Sequence, residues 1–293
     1  DLDPKNVNAN VNKGLSLLSL GRFDKAWQPY SLRWNQTDIQ HRMAEIDLER
    51  WSGQTLKNKK LLVWTEQGLG DEILQASLLP ELSDNVRELV LVCSDRLVSL
   101  FRYSFPLIKV IGRSNISTFK NTLNMDLCSP LLDLGKNMRS STDSFPTEFG
   151  YIKVPEFSVT ALRNKYRKHT EVNQTPILIG ISWESSNPLY GERNSIPLEH
   201  WKPIFEISKI SKKPIIFISC QYGAQRSQLE SIALENGVTI ILDESIDQTS
   251  DLIHAASQLS AVDLVISTST TSVQLAAAIG SETWHMPATG LAC

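Results

Sequence analysis

Residues 261–281, AVDLVISTSTTSVQLAAAIGS, are the stretch on which the reading of this chain turns. Val262, Leu264, Val265 and Ile266 form an apolar, largely β-branched run that reads as a strand buried in a sheet. The run ends in six consecutive hydroxyl residues, Ser267-Thr268-Ser269-Thr270-Thr271-Ser272. A small-residue helical pattern, Val273 to Ile279, starts at once and stops at Gly280, the residue type that most readily closes a helix. A strand feeding a helix in this way gathers unpaired backbone N–H groups and hydroxyl donors at one point, which is how proteins hold phosphate. Capping the helix would need only one or two such side chains. Six in a row weigh toward an anion site rather than a cap alone.

The same strand-then-helix grammar extends upstream. Residues 177–183, 214–220 and 238–242 read as strands, and 197–209, 224–235 and 248–259 as helices. An earlier series has strands at 60–66, 87–93, 108–112 and 125–128 and helices at 71–82 and 95–104. Alternation of this kind predicts an α/β fold: two Rossmann-like lobes, each a mostly parallel sheet with helices on both faces. The expected organisation is a helical hairpin at 1–37, a connector at 38–58, an N-terminal lobe at 59–140, a linker at 141–157 and a C-terminal lobe at 158–293. Sheets of this type bind ligands at the carboxyl ends of their strands, so the cleft between two such lobes is the expected site.

In the hairpin, Val11, Leu15 and Leu18, then Phe23, Ala26, Trp27 and Tyr30, recur at helical spacing around the break Gly21-Arg22. Gly14, Leu17, Gly21, Phe23, Ala26 and Tyr30 resemble the small/large pattern of a tetratricopeptide repeat (TPR), LGRFDKAW being its most typical part. A single repeat cannot bury its apolar face alone. The expectation is either that the pair continues an array or that it packs on the lobe that follows.

Bulk composition narrows the partners. With 29 basic and 32 acidic residues the formal net charge is −3, which gives no basic excess to recommend a nucleic acid. No apolar run reaches the roughly 18 residues of a membrane span, and the first residues lack the pattern of an export signal. Cys93, Cys128, Cys220 and Cys293 are scattered without metal-ligand spacing; Cys93 and Cys220 read as buried thiols, as expected of a cytoplasmic chain.

Two loops complete the candidate chemistry. Glu66-Gln67-Gly68-Leu69-Gly70-Asp71 follows the first strand, where the glycines admit another molecule to the backbone. It matches neither the dinucleotide fingerprint nor the phosphate-binding loop of nucleotidases. Asp71 is either a helix cap or a general base for a sugar hydroxyl. Ser182-Trp183-Glu184-Ser185-Ser186-Asn187-Pro188, running on to Pro197, is longer than usual for such a connection. Its cation Arg193 could neutralise a diphosphate or simply face solvent, and Ser195 could cap the next helix. Gln221 and Tyr222 lie at the same sheet edge, able to contact a nucleoside or to cap.

These motifs, in this order, resemble the two-lobed glycosyltransferase architecture called GT-B, and within it the heptosyltransferase-like family often found behind TPR repeats. The stretches carrying the resemblance are WSGQTLKNKKLLVWTEQGLGDEILQASLLP, IGISWESSNPLYGERNSIPLEHW, FISCQYG and DLVISTSTTSVQLAAAIGSETW. The resemblance implies transfer of a sugar from a nucleotide-diphosphate donor, with inversion, without metal or other cofactor, to a glycan, lipid or protein acceptor. It implies Asp71 as the base and an acceptor side built from Glu66, Gln67, Gly68 and Gly70. The donor side would comprise Ser182, Trp183, Arg193, Gln221, Thr268, Ser269, Thr270, Thr271, Ser272 and Gln274. The chain departs from the family's last motif, which has Asp and His where Ser269 and Gln274 stand, and it ends at Cys293 where relatives continue. Those departures keep a second expectation open: a catalytically degenerate binding or scaffold module with a protein partner on its TPR-like helices. A two-lobed small-molecule binder of periplasmic type is a third.

Overall fold

The computed structural model describes residues 6–35, 48–119, 124–147, 149–170, 174–188 and 191–288. The start of the expected connector (38–47), Tyr190 of the long loop and the tail 289–293 lie outside the described residues. The chain divides into two compact units, one built mainly from Asp1–Val98 and Phe105–Glu148, the other from Ser99–Ser104 and Phe149–Leu291.

The first unit opens with helix α1 (Val7–Ser19), whose N-terminus is capped by the Asn6 side chain, and α2 (Phe23–Ser31), which runs into a 3-10 turn, Leu32–Asn35. Gly21, at φ +67, makes the turn between the helices in the left-handed region that glycine tolerates best. Strands β1 (Lys60–Trp64), β2 (Glu88–Cys93), β3 (Lys109–Gly112) and β4 (Leu127–Pro130) form an all-parallel sheet of order β3-β2-β1-β4. Their residues are buried almost throughout, as strands covered on both faces must be. The helix expected at 71–82 starts two residues earlier, as α3 (Leu69–Gln75), tightens to a 3-10 turn at Ala76–Leu78 and resumes as α4 (Leu79–Asn85). Pro80 explains the interruption, since it has no N–H to give to the carbonyl four residues back. After β2 comes α5 (Val98–Ser104), which from Ser99 onward belongs to the second unit.

The hairpin packs onto this unit rather than standing apart. Val11, Trp27 and Tyr30 form one buried cluster with Leu132, which follows β4. Trp34 joins the core of the sheet with Leu62, Trp64, Val90 and Val92, its ring edge-on to Trp64 at 6.2 Å.

The second unit begins with α6 (Glu156–Arg167), a helix that the strand-helix alternation did not foresee because its sequence, EFSVTALRNKYR, is mostly polar. Its strands are β5 (Ile177–Ser182), β6 (Ile215–Ser219), β7 (Thr239–Ile241), β8 (Leu264–Thr268) and β9 (Thr283–Met286), all parallel, in the order β7-β6-β5-β8-β9. Helices α7 (Arg226–Asn236), α8 (Leu252–Ser260) and α9 (Thr271–Ile279) connect them; Gly237 and Gly280 close α7 and α9 at positive φ. The segment read as one helix at 197–209 is a 3-10 turn at Leu198–Trp201 followed by two single turns, with Pro203 as the breaker.

Both sheets change direction of growth at their first strand, between β1 and β4 and between β5 and β8. Neighbouring connections there leave on opposite faces, which opens a crevice at the carboxyl ends of those strands. Cys93, Cys128 and Cys220 are buried and in the thiol form. Among the described residues no helix is long and apolar enough to cross a membrane.

Candidate functional site

Each unit presents a polar corner at its crevice. In the second unit the corner is made by Ser182 at the end of β5 and by Ser267 to Ser272 where β8 turns into α9. Register pairs Ser182 with Ser267. The Thr270 hydroxyl lies 3.3 Å from that of Ser182 and 3.0 Å from that of Ser267, so it bridges the two strand ends. Thr270 is the N-cap of α9, yet its side chain makes no capping hydrogen bond. The hydroxyl that would ordinarily close the helix is committed to the sheet, and the first-turn N–H groups of Thr271 and Ser272 are left without a side-chain cap. Residues 269–272 are only partly buried. The corner is therefore open, electropositive by its backbone and lined with hydroxyl groups.

The remaining donor-side expectations separate on inspection. Gln221 is 6% exposed and fully engaged inside the protein. Its Oε1 accepts from Ser182 Oγ at 3.1 Å and from the Trp183 and Glu184 amides at 2.9 Å each, and its Nε2 donates to the carbonyls of Glu184 and Tyr222. It holds the loop instead of facing a ligand. Trp183 is likewise a core residue, packed with Ile181, Leu198, Trp201 and Phe217. Both departures from expectation have one cause: the long loop needs an internal anchor, and these two side chains supply it. Ser195 does not cap a helix; it accepts the Ser185 amide at 2.9 Å and donates to the Gly191 carbonyl at 2.6 Å, closing the loop on itself. Arg193 is exposed and, among the described residues, forms no ion pair; Gln274 is half-buried in the first turn of α9. Thr268 is buried at the strand end and Ser269 turns its hydroxyl to His285 Nε2 on β9, 2.9 Å away.

In the first unit the glycine-rich loop leaves β1 through Thr65 and Glu66, both buried, and reaches the surface at Gln67 and Gly68. Asp71 is the third residue of α3, not its cap; its Oδ2 accepts the Gly68 N–H at 3.2 Å across the first turn. Asp71 is exposed as a residue, but the protein around its carboxyl still raises the pKa above the ordinary value by desolvation, against the pull of the Gly68 amide and its own. A carboxylate that is reachable and mildly reluctant to ionise suits a general base.

Glu66 differs from expectation outright. It is buried and paired with Arg33 at 2.7 Å, so its side chain braces the loop from beneath and is closed to an acceptor. Burial pushes its pKa up to about 7, with Arg33 opposing. Arg33, itself buried, also binds Asp133 at 2.8 Å and lies 4.5 Å from the centre of the Tyr30 ring and 4.7 Å from that of Trp34. A second brace comes from Arg113, which donates to Thr65 Oγ1 at 2.7 Å and to Glu72 at 2.9 Å, while Glu72 takes the Ser94 amide at 2.8 Å. Gly68 and Gly70 are at or near the surface with no side chain to block approach.

With this geometry in hand, comparison with known proteins settles the architecture. No family model matches the chain. It is 29% identical over 280 residues to protein FlbA of Caulobacter vibrioides, an alignment that covers 90% of this chain and 45% of that protein. The chain thus spans about half the length of the curated relative it matches. Among solved structures it superposes on a glycosyl transferase family 9 protein from Veillonella parvula with a TM-score of 0.63 at 13% identity, covering 82% of this chain and 84% of the other. Escherichia coli ADP-heptose LPS heptosyltransferase II follows with a TM-score of 0.52 at 12% identity, covering 77% and 84%. The E. coli heptosyltransferase WaaC, solved with ADP-2-deoxy-2-fluoro heptose, gives 0.50 at 11% identity, covering 77% and 88%.

The fold resembles that of family 9 glycosyltransferases.

Three residues of the two corners were not legible in the sequence. Arg33 and Arg113 are isolated cations in unremarkable local sequence, and only tertiary packing sets them against Glu66 and Glu72. His285 lies in a segment without strand periodicity, and register alone brings it beside Ser267 and Ser269. No group of three or more metal-binding side chains occurs among the described residues.

Proposed function

We propose that this chain transfers a sugar from a nucleotide-diphosphate donor to an acceptor hydroxyl, by single displacement with inversion and without a metal. The observation that carries the reading is the α9 corner: a helix start whose own cap residue is diverted to the neighbouring strands, at the switch point of a parallel sheet. The diphosphate would lie on the amides of Thr271 and Ser272 and the hydroxyl group of Thr271, with Thr268 and Thr270 shaping the strand end beneath and the Ser272 hydroxyl held by the Cys220 carbonyl. Arg193 and Gln274 would add a charge and an amide donor. In the reacting step, Asp71 takes the proton of the acceptor hydroxyl as that oxygen bonds to the anomeric carbon. The bond from that carbon to the diphosphate oxygen breaks with its electron pair, and the nucleoside diphosphate departs with its charge held by the helix start. The acceptor is a glycan, lipid or protein hydroxyl, and the setting is the cytoplasm. The likeness to heptosyltransferases of solved structure supports this reading at the level of fold: one is an ADP-heptose heptosyltransferase and another was solved with an ADP-heptose analogue.

Calorimetric titration of the full chain with UDP, GDP and ADP tests the proposal. One of them binds, and Thr271→Pro, which removes a first-turn N–H while fitting the helix start, weakens it about tenfold, the loss of one charge-assisted hydrogen bond. No heat with any of the three at millimolar concentration would overturn it.

A second reading, a binding module on a degenerate transferase fold, draws support from Ser269 and Gln274, neither of which can carry charge, and from the TPR-like helix pair. It requires that Asp71→Asn leave the biological phenotype intact.

A further inference from the structure

The hairpin lies at the crevice of the first sheet. Three contacts place it there, all within one unit. Trp27 Nε1 donates to the Arg139 carbonyl at 2.6 Å; Arg33 and Trp34 Nε1 both bind Asp133, the latter at 2.6 Å; and the Tyr30 hydroxyl accepts from Gln67 Nε2 at 3.3 Å. Asp133 and Arg139 follow β4 and Gln67 follows β1, so the hairpin spans the ends of the two strands between which ligands enter such sheets. Its position is fixed by close fit. A Cβ at Gly14 would stand 2.6 Å from the Tyr30 backbone nitrogen, and one at Gly135 would stand 2.3 Å from the Trp27 ring. No side chain other than hydrogen fits at either point, and Arg33 stacks on the far side of the Tyr30 ring.

We infer that the N-terminal hairpin is a wall of the acceptor site and that Tyr30 positions the acceptor hydroxyl against Asp71. Tyr30 is 5% exposed, yet its hydroxyl reaches the exposed tip of the glycine-rich loop. A phenol that accepts one hydrogen bond retains a proton to donate. Asp71 stands four residues beyond Gln67, in the first turn of α3; burial, with Arg33 opposing and Glu66 and Asp71 adding, raises the phenol's pKa, so Tyr30 stays neutral and a donor at working pH. An acceptor oxygen between them would accept from Tyr30 and give its proton to Asp71. The two contacts set the direction of its lone pair. This assignment rests on the transfer reading above; it adds that the hairpin belongs to the chemistry, so that a repeat-like element serves the site directly.

The test uses the full chain and water as the acceptor probe, following hydrolysis of UDP-glucose, GDP-mannose and ADP-glucose. In Tyr30→Phe, which keeps the ring and its packing, kcat for hydrolysis falls about five- to tenfold while donor KM stays within twofold, the effect of one orienting hydrogen bond. Hydrolysis within twofold of wild type, or an equal rise in donor KM, would overturn the inference and leave the transfer reading standing. A chain that hydrolyses none of the three donors and binds none of their nucleotides would remove the transfer reading, and the acceptor role of Tyr30 with it.

Discussion

On the transfer reading, Asp71 serves structure and chemistry together. Its carboxyl spans the first turn of α3 to the Gly68 amide, and the residue is exposed at the surface. Asparagine would keep an acceptor for the Gly68 amide while losing the capacity to take a proton. Asp71→Asn is therefore expected to reduce kcat/KM by about 10²- to 10⁴-fold while the melting temperature moves little. The pH profile follows from the direction of the shift. Desolvation raises the carboxyl's pKa, so the base is lost on acidification at a pH above the ordinary aspartate value of about 3.9. An acid limb of kcat/KM at or below that value would show that another group acts as base.

At the scale of elements, the long loop after β5 is organised by a single amide. Gln221 replaces secondary structure for the buried N–H of Trp183 and the part-buried one of Glu184, which would otherwise lack this acceptor. Replacing Gln221 by Ala leaves those donors unsatisfied, at about 1–3 kcal/mol for each buried group. Urea denaturation is expected to show a loss of about 2–4 kcal/mol, together with weaker nucleotide binding because Ser182 and Thr270 lose their anchor. A variant of full stability and unchanged binding would return Gln221 to the surface role that its sequence position suggested. The elements also show what patterning can reveal. The strands and the α8 and α9 helices were legible because parallel strands buried on both faces are written as continuous apolar runs. The polar α6 and the short edge strand β9 were not, since one lacks a strong apolar stripe and the other exposes its two central residues, Trp284 and His285.

For the whole molecule, the buried Glu66 makes stability depend on pH. Its carboxyl is raised from the ordinary glutamate range to about 7, chiefly by burial. The folded chain therefore holds this proton more tightly than the unfolded chain. The stabilisation is complete below the unfolded pKa and is lost as pH rises through about 7. Thermal unfolding at pH 5, 6, 7 and 8 is expected to show a falling melting temperature in the wild type and a shallower fall in Glu66→Gln, which retains a carbonyl for Arg33. Asp71 and Glu72, also raised by burial, act in the same direction. Parallel curves for the two proteins would rule out Glu66 as the source.

The sequence by itself determined the alternation of strands and helices, the hydroxyl corner and the glycine-rich loop, because each is encoded by residues close together in the chain. Local periodicity, a run of hydroxyl groups and small residues after a strand express themselves wherever the backbone goes. Tertiary structure alone decided which side chains in those motifs are open and which are interior. Glu66 and Trp183 read as site residues and are interior. Tyr30 read as part of a repeat and Arg33 carried no signal, and both are built into the first crevice. Those outcomes depend on which distant groups arrive to satisfy a buried charge or amide: Arg33 comes to Glu66 from 33 residues away and Gln221 to Trp183 from 38. Burial makes such partners obligatory, and only the folded chain chooses them.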